Sequence, residues 1–194
     1  MLDAEALAEL LQQRRKPGAD KAAIDAQIHA RFGCERAVMF TDLVGFSRSV
    51  EAFGIIHFLQ LIHEYEAICL PAITAHGGRC LKREGDSMLA VFADAGAALD
   101  CAHAMVTACR LASTDRVTEE RIELCIGLGW GSVLLLDNQE IWGAEVNAAS
   151  KLGEETARGG EILVTDTFRA RLPARRFATQ GLLFGSRTIF RPLV

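Results

Sequence analysis

Ala37-Val38-Met39-Phe40-Thr41-Asp42-Leu43-Val44-Gly45-Phe46-Ser47 begins as an apolar run, reaches a Thr-Asp pair and passes into a glycine-containing loop. The run reads as a short strand over 37–40 with Asp42 at its carboxyl end, and Leu43 to Ser47 as a turn into a helix. In that helix Ile55, Phe58, Leu59, Ile62, Tyr65 and Cys69 are expected on one face, and His76-Gly77-Gly78 stops it. Arg79–Arg83 and Ser87–Ala93 then read as two strands joined by a tight turn at Glu84-Gly85-Asp86. A helix over 95–111 follows. Arg121–Trp130 alternates Ile122, Leu124, Ile126 and Leu128 as a strand, with Ser132–Leu136 read as its hairpin partner. A helix over 144–157 ending at Gly159-Gly160, a strand at Ile162–Val164 and strand character over Phe184–Val194 complete the chain. The order predicts an α+β fold: a ferredoxin-like βαββαβ core with a C-terminal α/β extension. Such a core hosts many activities, so function has to come from the site.

Ahead of this core, Leu2, Leu7, Leu10 and Leu11 fall at helical spacing, and Pro17-Gly18 breaks the pattern. Ile24, Ile28 and Phe32 form a second helical run with Gly33 as its expected C-cap. The expected division is a helical hairpin over 1–35, serving packing or dimerisation, and the main domain over 36–194. Half of the 194 residues are hydrophobic and the net charge is -4. That balance supplies a core and gives no general attraction to nucleic acid or to an anionic membrane. No apolar stretch is long enough to span a bilayer, and the acidic start Met-Leu-Asp-Ala-Glu is unlike a signal peptide. The six cysteines contain no C-x-x-C pair, and Cys69, Cys101, Cys109 and Cys125 sit in apolar runs. Reduced, buried thiols in a cytoplasmic protein are expected.

The predicted topology sets the first strand beside the hairpin, so Asp42 and Asp86 face each other across neighbouring strands. Two close carboxylates repel unless a proton or a cation lies between them. Magnesium is commonly held by one or two carboxylates together with substrate phosphates, and two such ions clamp an attacking and a leaving oxygen. The loop from Leu43 leads to a helix N-terminus, whose backbone N–H groups favour an anion. Taken singly, Asp42 is equally a helix-entry cap and Asp86 a turn former. Together with the loop they suit a metal-bound triphosphate.

Three segments carry a resemblance. Phe40-Thr41-Asp42-Leu43-Val44-Gly45-Phe46-Ser47 resembles the first metal motif of class III adenylyl and guanylyl cyclases. Lys82-Arg83-Glu84-Gly85-Asp86-Ser87-Met88-Leu89-Ala90-Val91-Phe92 resembles their second metal motif, and Trp142-Gly143-Ala144-Glu145-Val146-Asn147-Ala148-Ala149-Ser150-Lys151-Leu152 their transition-state motif. The resemblance implies a head-to-tail homodimer with active sites at its interface. It implies that Asp42 and Asp86 bind two divalent ions, Mg2+ or Mn2+, and that the backbone of Leu43, Val44, Gly45 and Phe46 contacts metal and phosphates. Asn147 would orient the ribose, Lys151 stabilise the transition state, and Lys82 and Glu140 read the base.

Lys donates and ionised Glu accepts, which matches the acceptor-plus-donor edge of adenine and opposes that of guanine. The implied reaction is ATP to 3′,5′-cyclic AMP and pyrophosphate. Cytosine shows the same polarity as adenine, so a cyclase using CTP, or another nucleotide such as UTP or GTP, stands as the alternative. A catalytically weak, cyclase-like nucleotide-binding dimer stands beside it. Three departures from the family pattern bear on these readings. Lys151 replaces an Arg and lacks its planar fork; Glu140 replaces an Asp or Thr; and Gly131–Gln139 is short and carries no basic residue. Arg187 is the candidate substitute for the family's C-terminal phosphate-binding lysine.

Overall fold

The computed structural model describes residues 3–45, 53–137 and 139–193. Phe46 and Ser47 of the first motif therefore lie outside the described residues. Two helices, α1 (Asp3–Arg14) and α2 (Lys21–Phe32), lead into β1 (Gly33–Leu43). Then come α3 (Ile55–Ala75), β2 (Arg79–Glu84), β3 (Ser87–Phe92), α4 (Ala95–Ala112), β4 (Leu124–Leu136), β5 (Glu140–Trp142) and α5 (Ala144–Lys151). Helix α5 runs on into a π-helical turn, Leu152–Thr156. The chain finishes with β6 (Ile162–Thr165), α6 (Asp166–Ala170), β7 (Phe177–Leu183) and β8 (Arg187–Pro192).

The strands form one sheet in the order β2-β3-β1-β4-β6-β8-β7, with β5 paired to β4. The first four positions are the ferredoxin-like arrangement, and β6, β8 and β7 extend it, so the α+β expectation holds. Side chains alternate across the sheet. Met39 on β1 and Ile126, Leu128 and Trp130 on β4 pack with Phe58, Tyr65 and Cys69 of α3 and Leu99, Ala102 and Met105 of α4. Asp94 caps α4, its carboxylate accepting the Ala97 N–H at 2.7 Å.

The opposite face of β4 carries Gly127, Gly129 and Gly131 in alternation. A Cβ at Gly127 would lie 2.0 Å from the Ala149 carbonyl oxygen, and one at Gly129 would lie 2.8 Å from that of Glu145. Three absent side chains let the backbone of α5 settle on the strand, and this seats the helix that carries Asn147 and Lys151.

Several expectations are corrected. Ser132–Leu136 is not a hairpin partner: β4 runs unbroken to Leu136, and the turn beyond it, with Asp137 at φ 45, brings back β5. The long strand persists because β1 pairs with it from Gly33↔Leu134 to Leu43↔Leu124. Strand β1 accordingly starts at Gly33, not Ala37, and β4 starts at Leu124, not Arg121. Gly33 is extended, with φ -76; its need for glycine is steric, since a Cβ would lie 2.4 Å from the His29 carbonyl oxygen. On α3, Ile55 and Leu59 are 53% and 54% exposed, and the buried stripe is Phe58, Leu61, Tyr65, Cys69 and Ile73. Helix α6 and strand β7 had no expectation.

Ala6, Ile24, Ile28 and Phe32 of the two leading helices bury against Leu136 of β4. All six cysteines are free thiols, and Cys69, Cys101, Cys109 and Cys125 are buried. Among the described residues no helix is long and apolar enough to cross a membrane.

Candidate active site

Thr41 is buried with its hydroxyl bonded to that of Tyr65 on α3. Alternation then turns Asp42 to the other face, the one covered by α5. The β1–β3 ladder ends at Thr41↔Met88. Asp42 lies one residue past that pair on β1, and Asp86 lies two residues before Met88 in the hairpin turn. The register thus brings the two carboxylates together. Burial, the Asp86 charge and the Glu154 charge push the Asp42 carboxyl from its ordinary 3.8 up to about 7, against the Leu43 backbone N–H, which favours ionisation. Burial likewise raises Asp86, its own backbone N–H opposing and Glu154 adding repulsion.

Glu154 had no place in the sequence reading. It sits on the π-helical turn after α5, where Gly153 packs on β1 so closely that a Cβ would lie 3.0 Å from the Phe40 carbonyl oxygen. Only the tertiary fold brings the turn to Asp42. Its sole sequence signal is a glycine and two glutamates after Lys151, which is no more than a polar helix end.

The chemistry of this site fits divalent cations: two part-buried carboxylates, both raised in pKa by burial and by the Glu154 charge, and Asp42 also by the charge of Asp86. Among the described residues no group of three or more His, Cys, Asp or Glu side chains is arranged to hold a metal by itself. A pair of carboxylates completed by substrate phosphates and water is the arrangement magnesium tolerates.

The loop after β1 is partly committed. Val44 donates its N–H to the Glu123 carbonyl at 3.0 Å, and Gly45 takes φ 82. The amide of Phe46 lies outside the described residues.

Asn147 and Lys151 stand one turn apart on α5, on a common face. Asn147 is exposed, and Lys151 pairs its ammonium with Glu155 four residues on. Lys82, exposed on the edge strand β2, is opposite Leu89 in register, and Leu89 is opposite Phe40. Lys82 therefore shares a face of the sheet with Phe40 and Asp42. Glu140 opens β5, exposed and opposite Leu136. Strands β3, β1 and β4 lie between β2 and β5, and no hydrogen bond or ion pair joins Lys82 to Glu140.

Arg187 is placed elsewhere. Its Nη2 lies 2.7 Å from Glu145 and 2.7 Å from Asp166. Glu145 is buried and also accepts the Thr165 hydroxyl at 2.9 Å. Within one chain Arg187 is thus a clamp joining α5, α6 and β8.

Comparisons with known proteins bear on family and fold. Residues 32–183 match the family described as the adenylate and guanylate cyclase catalytic domain. The chain belongs to this cyclase family. A putative adenylate cyclase 3 of Rhizobium meliloti is 30% identical over 130 residues, covering 67% of this chain and 22% of the relative. An adenylate cyclase of Streptomyces coelicolor is 32% identical over 142 residues, covering 73% of this chain and 35% of the relative. The chain therefore spans about a fifth to a third of the length of these relatives. The crystal structure of an adenylate/guanylate cyclase/hydrolase from Silicibacter pomeroyi superposes with a TM-score of 0.74 at 29% identity. That likeness covers 84% of this chain and 98% of the other. Cyclase domains of this family generally use divalent metal ions and act on a nucleotide substrate.

Proposed function

We propose that this cyclase-family chain converts ATP to 3′,5′-cyclic AMP and pyrophosphate, with two divalent ions, Mg2+ or Mn2+, at the interface of a head-to-tail homodimer. The observation that carries the reading is the Asp42–Asp86 pair, with Asp42 pushed up to about 7 by burial and by its acidic neighbours. Such a site is costly when empty and relieved by cations.

Asp42 and Asp86 would hold the two ions, which supply a lowered pKa at the ribose 3′-hydroxyl and neutralise the triphosphate. The 3′-oxygen attacks the α-phosphorus, and the bond to pyrophosphate breaks in line. The protein's own share is placement and charge complementarity. Asn147 orients the ribose, Lys151 meets charge on the transferring phosphoryl, and Lys82 and Glu140 present a donor and an acceptor to the adenine edge. Exposure of Asn147, Lys82 and Glu140 supports completion of the site by a second copy. Similarity to two named adenylate cyclases supports the base.

One observation favours a second reading, a nucleotide-binding dimer with weak turnover: Lys151 spends its charge on Glu155. Incubation of the purified protein with ATP, CTP, GTP and UTP, with Mg2+ or Mn2+, followed by mass spectrometry, separates the readings. Cyclic AMP that disappears in Asp86→Ala is expected. A cyclic product from another nucleotide moves the base assignment to that nucleotide. No cyclic product from any of the four, with nucleotide still bound, overturns turnover in favour of the second reading.

A further inference from the structure

A cavity of about 500 Å³ opens between the end of α4, the start of β4 and the Gly159-Gly160 turn. It is on the α4 side of the sheet, away from the face that carries Asp42. Arg110 and Arg121 line it. Arg110 makes no side-chain hydrogen bond or ion pair among the described residues. Among the described residues Arg121 makes one long side-chain bond, from Nε to the Arg116 carbonyl at 3.4 Å, and none from its two terminal nitrogens. Glu123 also lines it, without an ion pair to either arginine, its carboxylate lying over Gly159, where a Cβ would be 2.4 Å from Oε2.

Ser113 also lines the cavity. This residue is 6% exposed, and its hydroxyl accepts the Ile122 N–H at 2.9 Å, with no acceptor for its own O–H among the described residues. A helix C-terminus ordinarily repels anions, but here the last carbonyls are occupied: those of Arg110 and Leu111 accept from Ser113 and Thr114. Val106, Ile122 and Leu124 supply an apolar wall.

We propose that this cavity binds a small organic phosphate, with its oxyanion on Arg110, Arg121 and Ser113 and its body against Val106, Ile122 and Leu124. Guanidinium forks match phosphate oxygens two at a time. The volume lies in the range of roughly 300–1,000 Å³ usual for small-molecule sites, more than a bare phosphate fills.

The site is joined to the catalytic loop through its wall. Glu123 accepts the Val44 N–H at 3.0 Å, and Gly159 packs on Val44, where a Cβ would be 3.2 Å from Cγ2. An occupant that orders Ile122–Leu124 and Gly159 therefore supports the loop beside Asp42 from the opposite side of the sheet.

Isothermal titration calorimetry tests this on the whole chain with chelator present, so that no metal recruits phosphate to Asp42 and Asp86. The probes are AMP, inorganic phosphate and uncharged adenosine. AMP is expected to bind, with Kd raised at least about tenfold in Arg110→Gln/Arg121→Gln and unchanged in Asp42→Asn and Asn147→Ala. Circular dichroism shows whether the double variant keeps its fold; if it does not, Ser113→Ala is read instead, with weaker AMP binding expected. Absence of AMP binding at millimolar concentration overturns the proposal. So does binding that survives loss of both arginines, or that is lost in Asn147→Ala. Adenosine or inorganic phosphate binding as tightly as AMP refutes an organic phosphate as the ligand. No turnover enters the test, so its outcome is independent of the cyclase reading.

Discussion

Asp42→Asn is expected to stabilise the metal-free protein and, if the cyclase reading holds, to abolish turnover. In the folded chain the carboxyl of Asp42 is pushed from 3.8 up to about 7, first by burial and then by Asp86 and Glu154. The folded state therefore holds this proton more tightly than the unfolded state does. Stability from this group is full below 3.8, falls as pH rises toward about 7, and is flat beyond. At face value the shift corresponds to about 4 kcal/mol. Asp42 is only half-buried, and solvent screening reduces this to about 1–2 kcal/mol. For a chain of this size each kcal/mol moves Tm by roughly 2–4 °C, so the Asn variant should melt roughly 2–8 °C above wild type at about pH 8. The assay is thermal unfolding with chelator across a pH series. The gap should narrow steadily below about pH 7 and close near about pH 4. Adding Mn2+ should raise only the wild type and shrink the gap, because a ligand bound to the folded state alone stabilises it. An Asn variant less stable than wild type at high pH, or a gap indifferent to pH, would refute the reasoning that burial and acidic neighbours make the ionised Asp42 carboxylate costly.

Other consequences are open to direct measurement. Arg187→Ala leaves the buried Glu145 without its cation, and a loss of about 2–3 kcal/mol in urea unfolding is expected, below the full cost for a fully buried pair because Arg187 is partly exposed; Glu145→Gln in the same background should recover part of it. Gly129→Ala pushes a methyl to within 2.8 Å of the Glu145 carbonyl and should cost about 1–3 kcal/mol or more, through overpacking of α5 on β4. If the cyclase reading holds, Lys151→Arg restores a bidentate fork, and kcat measured by cyclic AMP release should rise by about tenfold with KM little changed; an unchanged kcat would argue that Lys151 does not meet the transition state.

Local chemistry made much of this protein legible. Apolar periodicity marked α3, α4 and the core strands, His76-Gly77-Gly78 marked a helix end, and the order of elements implied the β2-β3-β1-β4 arrangement before any coordinate. The positions of Asp42 at a strand end and Asp86 in a turn followed from the same patterns, because strand and turn propensities act over a few neighbouring residues. Three motifs in register then pointed to the cyclase family.

The rest depended on contacts between residues far apart in the chain. The length of β4 was set by eleven residues of β1 pairing along it, so the hairpin turn moved past Leu136. Nothing in the sequence gave a role to Gly127, Gly129 and Gly131, and only the closeness of α5 shows why side chains are missing there. Arg187 was expected to stand in for a phosphate-binding lysine, and the fold sets it instead between Glu145 and Asp166. Glu154 had no role in the sequence, and the packing of Gly153 on β1 is what brings it to the carboxylate pair. Spacing along the chain specified which groups were available; their charge state and partners were decided by burial and by long-range packing, since desolvation and Coulomb interactions depend on distance through the folded protein rather than along its sequence.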